Sequence, residues 1–286
     1  MPEGDTVLQT AERLHTALAG QVLTHSDLRV PRLATVDLTG RKVLDVTPRG
    51  KHLLTRIEGG LTLHSHLRMD GVWRVYAAGE RWRGGAAHQI RAVLGNEVHT
   101  AVGYRLPVLD LLRTRDEDKI VGHLGPDLLG PDWDADTALR NLLADPDRPL
   151  GEALLDQRNL AGIGNVFKCE LCFMARATPW LPVGALPATT AARLVTTAKQ
   201  LLEANRDRPT RTTTGPTPAA GASRTGTHTP AHTPTRAPTR ARPQEHLYVY
   251  GREHRSCLRC GTPIRKADEA GRPTYWCPRC QAGPTP

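Results

Sequence analysis

Leu61-Thr-Leu-His-Ser-His-Leu-Arg-Met-Asp-Gly-Val-Trp-Arg-Val-Tyr76 contains two short alternating runs, Leu61 to His66 and Val72 to Tyr76, separated by Asp70-Gly71. Alternation of apolar and polar side chains is the period of a half-buried strand, and Asp-Gly is turn chemistry. The texture extends outward on both sides. Lys42 to Val46 and His52 to Ile57 read the same way, divided by Pro48-Arg-Gly50 and Gly59-Gly60. From Gln21 to about Arg113 the chain is therefore expected to form many short antiparallel strands, a sandwich or barrel. Before it, Val7, Leu8, Ala11, Leu14 and Leu18 share a helical face, with Asp5 or Thr6 placed to cap the helix. After it, from about Asp134 to Asp207, Ala and Leu recur at helical spacing.

The fold class read from this order is α+β. An N-terminal antiparallel β-sandwich with a flanking helix occupies 1–120, and a helical region 121–208. A stretch without structure follows over 209–243, and a cysteine module over 244–286. Pro209 to Pro243 contains Pro, Thr, Ala, Gly, Arg, His and one Ser, with no acid and no apolar side chain larger than Ala. Such a composition buries too little surface to offset its ordering entropy.

Lysine and arginine number 38 against 29 acids, giving a net charge of +9 and a pI near 9.6. That balance favours a polyanionic partner, nucleic acid first. Aromatic residues are 4% of the chain, which argues against a stacking platform for single strands. Met1 to Gly20 has no signal-type apolar run, no segment has the apolar length of a membrane span, and no basic amphipathic helix presents itself. The expectation is a soluble cytoplasmic protein without a membrane partner.

Two motifs carry chemistry. Cys257-Leu-Arg-Cys260 and Cys277-Pro-Arg-Cys280 are separated by sixteen residues, enough for a hairpin that brings four thiolates to one metal. This spacing predicts one structural zinc. Two disulfides would need an oxidising compartment, of which there is no sign. At the other end, removal of Met1 makes Pro2 a terminal secondary amine. Its reference pKa of about 8 leaves more of it neutral than a lysine, and Glu3 is a carboxylate placed to move protons in amine chemistry at a carbonyl-like carbon. A third stretch, Leu154-Leu-Asp-Gln-Arg-Asn-Leu-Ala-Gly-Ile-Gly-Asn165, reads as a helix ending near Asn159, a turn at Gly162 and Gly164, and a new helix capped by Asn165. Its free N–H groups would suit a phosphate.

In this order along the chain, these segments resemble the formamidopyrimidine-DNA glycosylase/endonuclease VIII family. Met1-Pro-Glu-Gly-Asp5 looks like its catalytic N-terminus, and Arg49-Gly-Lys51-His-Leu-Leu54 like its lysine-bearing strand. Asp156-Gln157 through Asn165 looks like its helix–two-turn–helix. Leu247-Tyr-Val-Tyr-Gly-Arg252, the four cysteines and Gly271-Arg272-Pro-Thr-Tyr-Trp276 look like its zinc finger.

The resemblance implies a bifunctional glycosylase and abasic-site lyase acting as a monomer on damaged double-stranded DNA in the nucleoid. Pro2 would be the nucleophile, Glu3 the proton shuttle, and Lys51, Asn165 and Arg272 the phosphate clamps. Met69 would be the wedge that replaces a flipped nucleotide, with Arg68 beside it. The Gly4-Asp5 start resembles the endonuclease VIII branch, so oxidised pyrimidines are the expected lesions. Thr6 stands where the family has an acid. His64 and His66 are expected to pack rather than bind metal, and Cys169 and Cys172 to be buried thiols. A non-catalytic zinc-ribbon DNA-binding protein would share the charge and the cysteines, but it would not need Pro2 and Glu3.

Overall fold

The computed structural model describes residues 2–215, 246–269 and 271–286. The first helix, α1 (Gly4–Leu18), buries Val7, Ala11, Leu14 and Leu18 along one stripe. Neither Asp5 nor Thr6 is its cap. Glu3 occupies the N-cap position without a side-chain capping bond, and Asp5 is already inside the helix.

Strands β1 (His25–Leu28), β2 (Val43–Arg49), β3 (His52–Ile57), β4 (Leu61–His66), β5 (Val72–Ala77), β6 (Ile90–Gly95), β7 (His99–Tyr104) and β8 (Val108–Arg113) form two four-stranded sheets, ordered β1-β6-β7-β5 and β2-β3-β4-β8. All of their pairings are antiparallel. Leu53, Ile57, Leu63 and Leu109 from one sheet meet Leu28, Trp73, Ala92 and Leu94 from the other, together with the α1 stripe, in one core. Truncating a fully buried leucine such as Leu53 to alanine in such a core costs about 2–5 kcal/mol. The two runs flanking Asp70-Gly71 do not pair with each other. β4 lies between β3 and β8 and β5 pairs with β7, so the turn Leu67 to Gly71 carries the chain from one sheet to the other.

Helix α2 (Asp118–Val121) spans the expected domain boundary at 120, and Leu54, Val121, Leu124 and Ala161 form a small cluster joining sheet to helices. The helical region comprises α3 (Ala135–Leu142), α4 (Leu150–Leu155), α5 (Asn165–Met174) and α6 (Ala188–Asn205). Asp134 caps α3 by accepting the Thr137 N–H at 2.7 Å. The expected end of α4 near Asn159 is four residues too late. Asp156 turns extended after Leu155, with Arg148 and Arg158 paired to its carboxylate. Gln157 then holds the turn together, donating to the Leu155 and Ile163 carbonyls and accepting the Gly162 N–H.

The last module is a hairpin of β9 (Arg265–Glu269) and β10 (Arg272–Trp276), packed on α5 through a cluster of Cys169, Phe173, Val249, Ile264, Cys257 and Cys277. Within the stretch expected to lack structure, the first residues after Pro209 are held in place. Thr212 and Thr213 are anchored on Asn205, His246 and Glu170, and residues 216–243 of that stretch lie outside the described residues. No described helix is long and apolar enough to cross a membrane.

Candidate active site

The turn before α5 meets the N-terminus of the chain. Glu3 is fully buried. Its carboxylate accepts the backbone N–H of Gly164 at 2.8 Å, of Val166 at 2.7 Å and of Phe167 at 3.3 Å. A carboxylate 160 residues away in sequence thus takes the place of the α5 cap and sits at the positive end of its dipole. Asn165, expected as the cap, is the first residue of the helix, and Gly164 precedes it. Any side chain at Gly164 would displace Glu3, because a Cβ would stand 2.5 Å from Glu3 Cγ and Cδ. Gly162 has φ +115°, and its carbonyl accepts the Gly4 N–H at 2.9 Å, which brings the turn against the first residues of the chain. The N–H groups read in the sequence as a phosphate site are therefore occupied by Glu3. Burial raises the Glu3 carboxyl above its ordinary range, against the opposing pull of Arg211 and the Val166 N–H.

Lys51 lies in the tight turn between β2 and β3 rather than within a strand. Asp127 fixes that turn by accepting the Gly50 N–H at 2.6 Å. The Lys51 ammonium donates to the Ile163 carbonyl at 2.8 Å, so it reaches the same glycine turn that Glu3 occupies. Burial brings the amine down to about 8, with Glu3 opposing and Arg272 adding to the fall. Pro2, Glu3, Lys51 and Arg272 thus converge on one region from three parts of the chain.

Sequence reasoning missed Asp5 and Arg211. Arg211 grips Asp5 through two bonds, at 2.7 and 2.5 Å, lies 3.8 Å from the Glu3 carboxylate and stacks over the Phe167 ring at 4.8 Å. Asp5 is buried, and the Arg211 side chain is 15% exposed. Thr213 and the backbone N–H groups of Tyr248, Val249 and Tyr250 all bind the buried Glu170 carboxylate. The two ends flanking residues 216–245 are also bonded directly, Thr213 N–H to the His246 carbonyl at 2.7 Å.

At the sheet-to-sheet crossing, Met69 is 59% exposed while Leu67 is buried. Arg68 stands in the left-handed region at φ +45°, and its N–H donates to His66 Nδ1 at 3.0 Å. Arg105 donates to the Asp70 carbonyl at 3.2 Å from the other side. His66 can accept because burial, Lys51 and His64 hold its imidazole down to about 4, leaving it neutral. His64 is hydrogen-bonded to His52 at 2.9 Å and faces Asp110. Arg68 and Met69 therefore project from a braced turn.

The zinc module places the Sγ atoms of Cys257, Cys260, Cys277 and Cys280 within 4.8 Å of one another, and no pair is bridged. Tetrahedral coordination with Zn–S bonds of about 2.3 Å puts sulfurs about 3.8 Å apart. The Cys257–Cys280 and Cys260–Cys277 separations of 3.9 and 3.5 Å match. Four thiolates fit one structural zinc and leave no position for water. Among the described residues this is the one cluster of three or more such ligands. Arg272 opens β10 and is exposed. Asn165 is buried and donates from Nδ2 to the Pro273 carbonyl at 2.7 Å, with its Oδ1 unpaired. In this conformation it holds the hairpin rather than facing outward. Cys169 and Cys172 are both buried free thiols.

Family models match in three consecutive blocks: the formamidopyrimidine-DNA glycosylase N-terminal domain over residues 1–105, its H2TH domain over 124–214, and the zinc finger found in FPG and IleRS over 257–283. A "probable endonuclease 8 2" of Streptomyces coelicolor is 67% identical over all of this chain and 96% of its own length. A "DNA-(apurinic or apyrimidinic site) lyase Nei2" of Mycolicibacterium smegmatis is 46% identical over 98% of this chain and 99% of its own. The fold is similar to a Lactococcus lactis FPG mutant solved with Fapy-dG-containing DNA, at 23% identity and a TM-score of 0.76 over 99% of this chain and 100% of that one. With the buried Glu3, the glycine turn and the four-cysteine hairpin in place, the chain belongs to the formamidopyrimidine-DNA glycosylase/endonuclease VIII family of DNA glycosylase/lyases of base-excision repair.

Proposed function

We propose that this protein excises oxidised pyrimidines from double-stranded DNA and cuts the strand through an iminium (Schiff-base) adduct at Pro2. The observation that carries the reading is Glu3. A fully buried carboxyl with its affinity for protons raised, fixed by three N–H groups of a helix start, lies one residue from Pro2, which becomes a terminal secondary amine once Met1 is removed. Such a group can deliver a proton and take it back. The Pro2 nitrogen attacks C1′ and the bond to the base breaks. Glu3 protonates the sugar ring oxygen as the ring opens. The resulting iminium acidifies the C2′ proton. Loss of that proton expels the 3′ phosphate, and a second elimination expels the 5′ phosphate. Hydrolysis of the iminium then frees Pro2.

Lys51 and Arg272 hold phosphates beside the extruded nucleotide, and Asn165 joins them by exchanging its Pro273 bond for a phosphate oxygen. Met69 enters the gap in the stack with Arg68 at the unpaired partner, both from a turn braced for insertion. The zinc supports the hairpin that carries Arg272 and takes part in no step. The Gly4-Asp5 start and the relatives named endonuclease 8 support the endonuclease VIII branch, and the preference for pyrimidines is what resemblance to that branch implies. Glu3→Gln is the test. It should slow release of an oxidised pyrimidine far more than cleavage of a ready-made abasic site, which has no base left to lose. Undiminished release of the base would remove Glu3 from the glycosylase step.

A further inference from the structure

Lys168 has no part in the chemistry above, yet its side chain is completely buried. It lies one turn beyond Asn165 on α5, and the two side chains grip the same hairpin. The Lys168 ammonium donates to Thr274 Oγ1 at 2.5 Å and meets the Glu269 carboxylate at 3.2 Å, while Thr274 also donates to Glu269 at 3.1 Å. Glu269 is the cross-strand partner of Arg272 in the hairpin register. Thr274 is two residues beyond Arg272 on the same side of β10. The acid best placed to pair with the Arg272 guanidinium is thus drawn inward by a buried cation. Arg272 remains exposed and makes no ion pair among the described residues.

We infer that Lys168 is the positioning residue of the Arg272 phosphate contact: it fixes the hairpin on α5 and withholds the Glu269 carboxylate from Arg272. This rests on the reading of Arg272 as a phosphate clamp. Removing a buried ammonium both loosens the hairpin and releases a carboxylate that competes with phosphate for the same guanidinium.

The test is binding of a duplex carrying a stable abasic-site analogue, with zinc content and melting followed in parallel. Lys168→Met should weaken binding about tenfold, the scale of one charge-assisted contact, and lower the salt slope by about 0.9. Adding Glu269→Gln should recover most of the loss, because the competing charge is gone. In an Arg272→Ala background, Lys168→Met should change affinity less than about twofold, as expected when two substitutions act on one contact. Undiminished loss in that background, or no recovery with Glu269→Gln, overturns the inference. If Lys168→Met does not retain zinc, Thr274→Val carries the decision. It keeps the cation and should weaken binding only while Arg272 is present, and unchanged binding overturns the inference. An Arg272→Ala variant with wild-type affinity and salt slope instead overturns the phosphate reading itself, and the inference with it.

Discussion

Replacing Arg211 with methionine leaves two buried carboxylates, Glu3 and Asp5, facing each other without their cation. At 3.8 Å and an effective dielectric of about 20, the attraction lost at Glu3 is about 4 kcal/mol. Breaking a buried pair typically costs about 3–5 kcal/mol of stability, so the melting temperature should fall clearly. The pH dependence is the more discriminating readout. Glu3 already binds its proton more tightly when folded, through burial, and Arg211 is the first of the groups that oppose this. A carboxyl raised on folding contributes most below its unfolded pKa and loses that contribution as pH rises through its folded one. Without Arg211 the folded value moves further up. The gap in stability between variant and wild type should therefore widen from acid toward neutral pH. Base release should move in the same direction, with the limb on which Glu3 loses its proton displaced to higher pH, because Glu3 delivers that proton to the ring oxygen. Arg211→Lys keeps a charge without the planar fork and should fall between. The assay is a pH series of calorimetric melts beside single-turnover base release. A variant whose melts run parallel to wild type at every pH, with an unmoved rate profile, would refute the coupling of Arg211 to Glu3.

Met69→Ala should leave stability within about 0.5 kcal/mol, since the side chain is mostly exposed, but slow base release and abolish unstacking of a 2-aminopurine beside the lesion. Cys277→Ser with Cys280→Ser should eliminate bound zinc and protease resistance of the hairpin, because structural zinc supplies folding free energy of about 10–16 kcal/mol in small modules. Undiminished zinc would show that the ligands lie elsewhere. Asp156 is held below the usual carboxylate range by Arg158 first and then Arg148. Its contribution is present above the unfolded pKa and lost as pH falls through the folded one, so Asp156→Asn should flatten the acid limb of a denaturation series.

What the sequence made legible was local. The α1 stripe, the alternating strands and the cysteine spacing each encode their structure within a few residues, and the structure contains all three. The parts that escaped depend on contacts between distant segments. Glu3 caps a helix that begins at Asn165, and no local pattern announces a cap supplied from the other end of a domain. The signal that could have found it was Gly164, a glycine demanded by close approach rather than by turn geometry. Arg211 pairs with Asp5 across 206 positions and sits at the start of a stretch whose average composition contains nothing to bury. Composition averages cannot register one arginine whose partners are supplied by α1. The same blindness places Thr212 and Thr213 in a stretch without structure, when their bonds to Asn205, His246 and Glu170 tie both residues down. Asparagine is a good cap in general, which puts Asn165 one position outside its helix, but Glu3 already fills that role.

Borohydride trapping on an oxidised-pyrimidine duplex, followed by peptide mapping of the adduct, addresses the nucleophile itself. Protein lacking Met1 should become covalently attached to DNA at the Pro2 nitrogen, and a blocked terminus should abolish the adduct while zinc content and duplex binding persist. An adduct mapped to Lys51, or trapping at full rate with the terminus blocked, would contradict the assignment of Pro2.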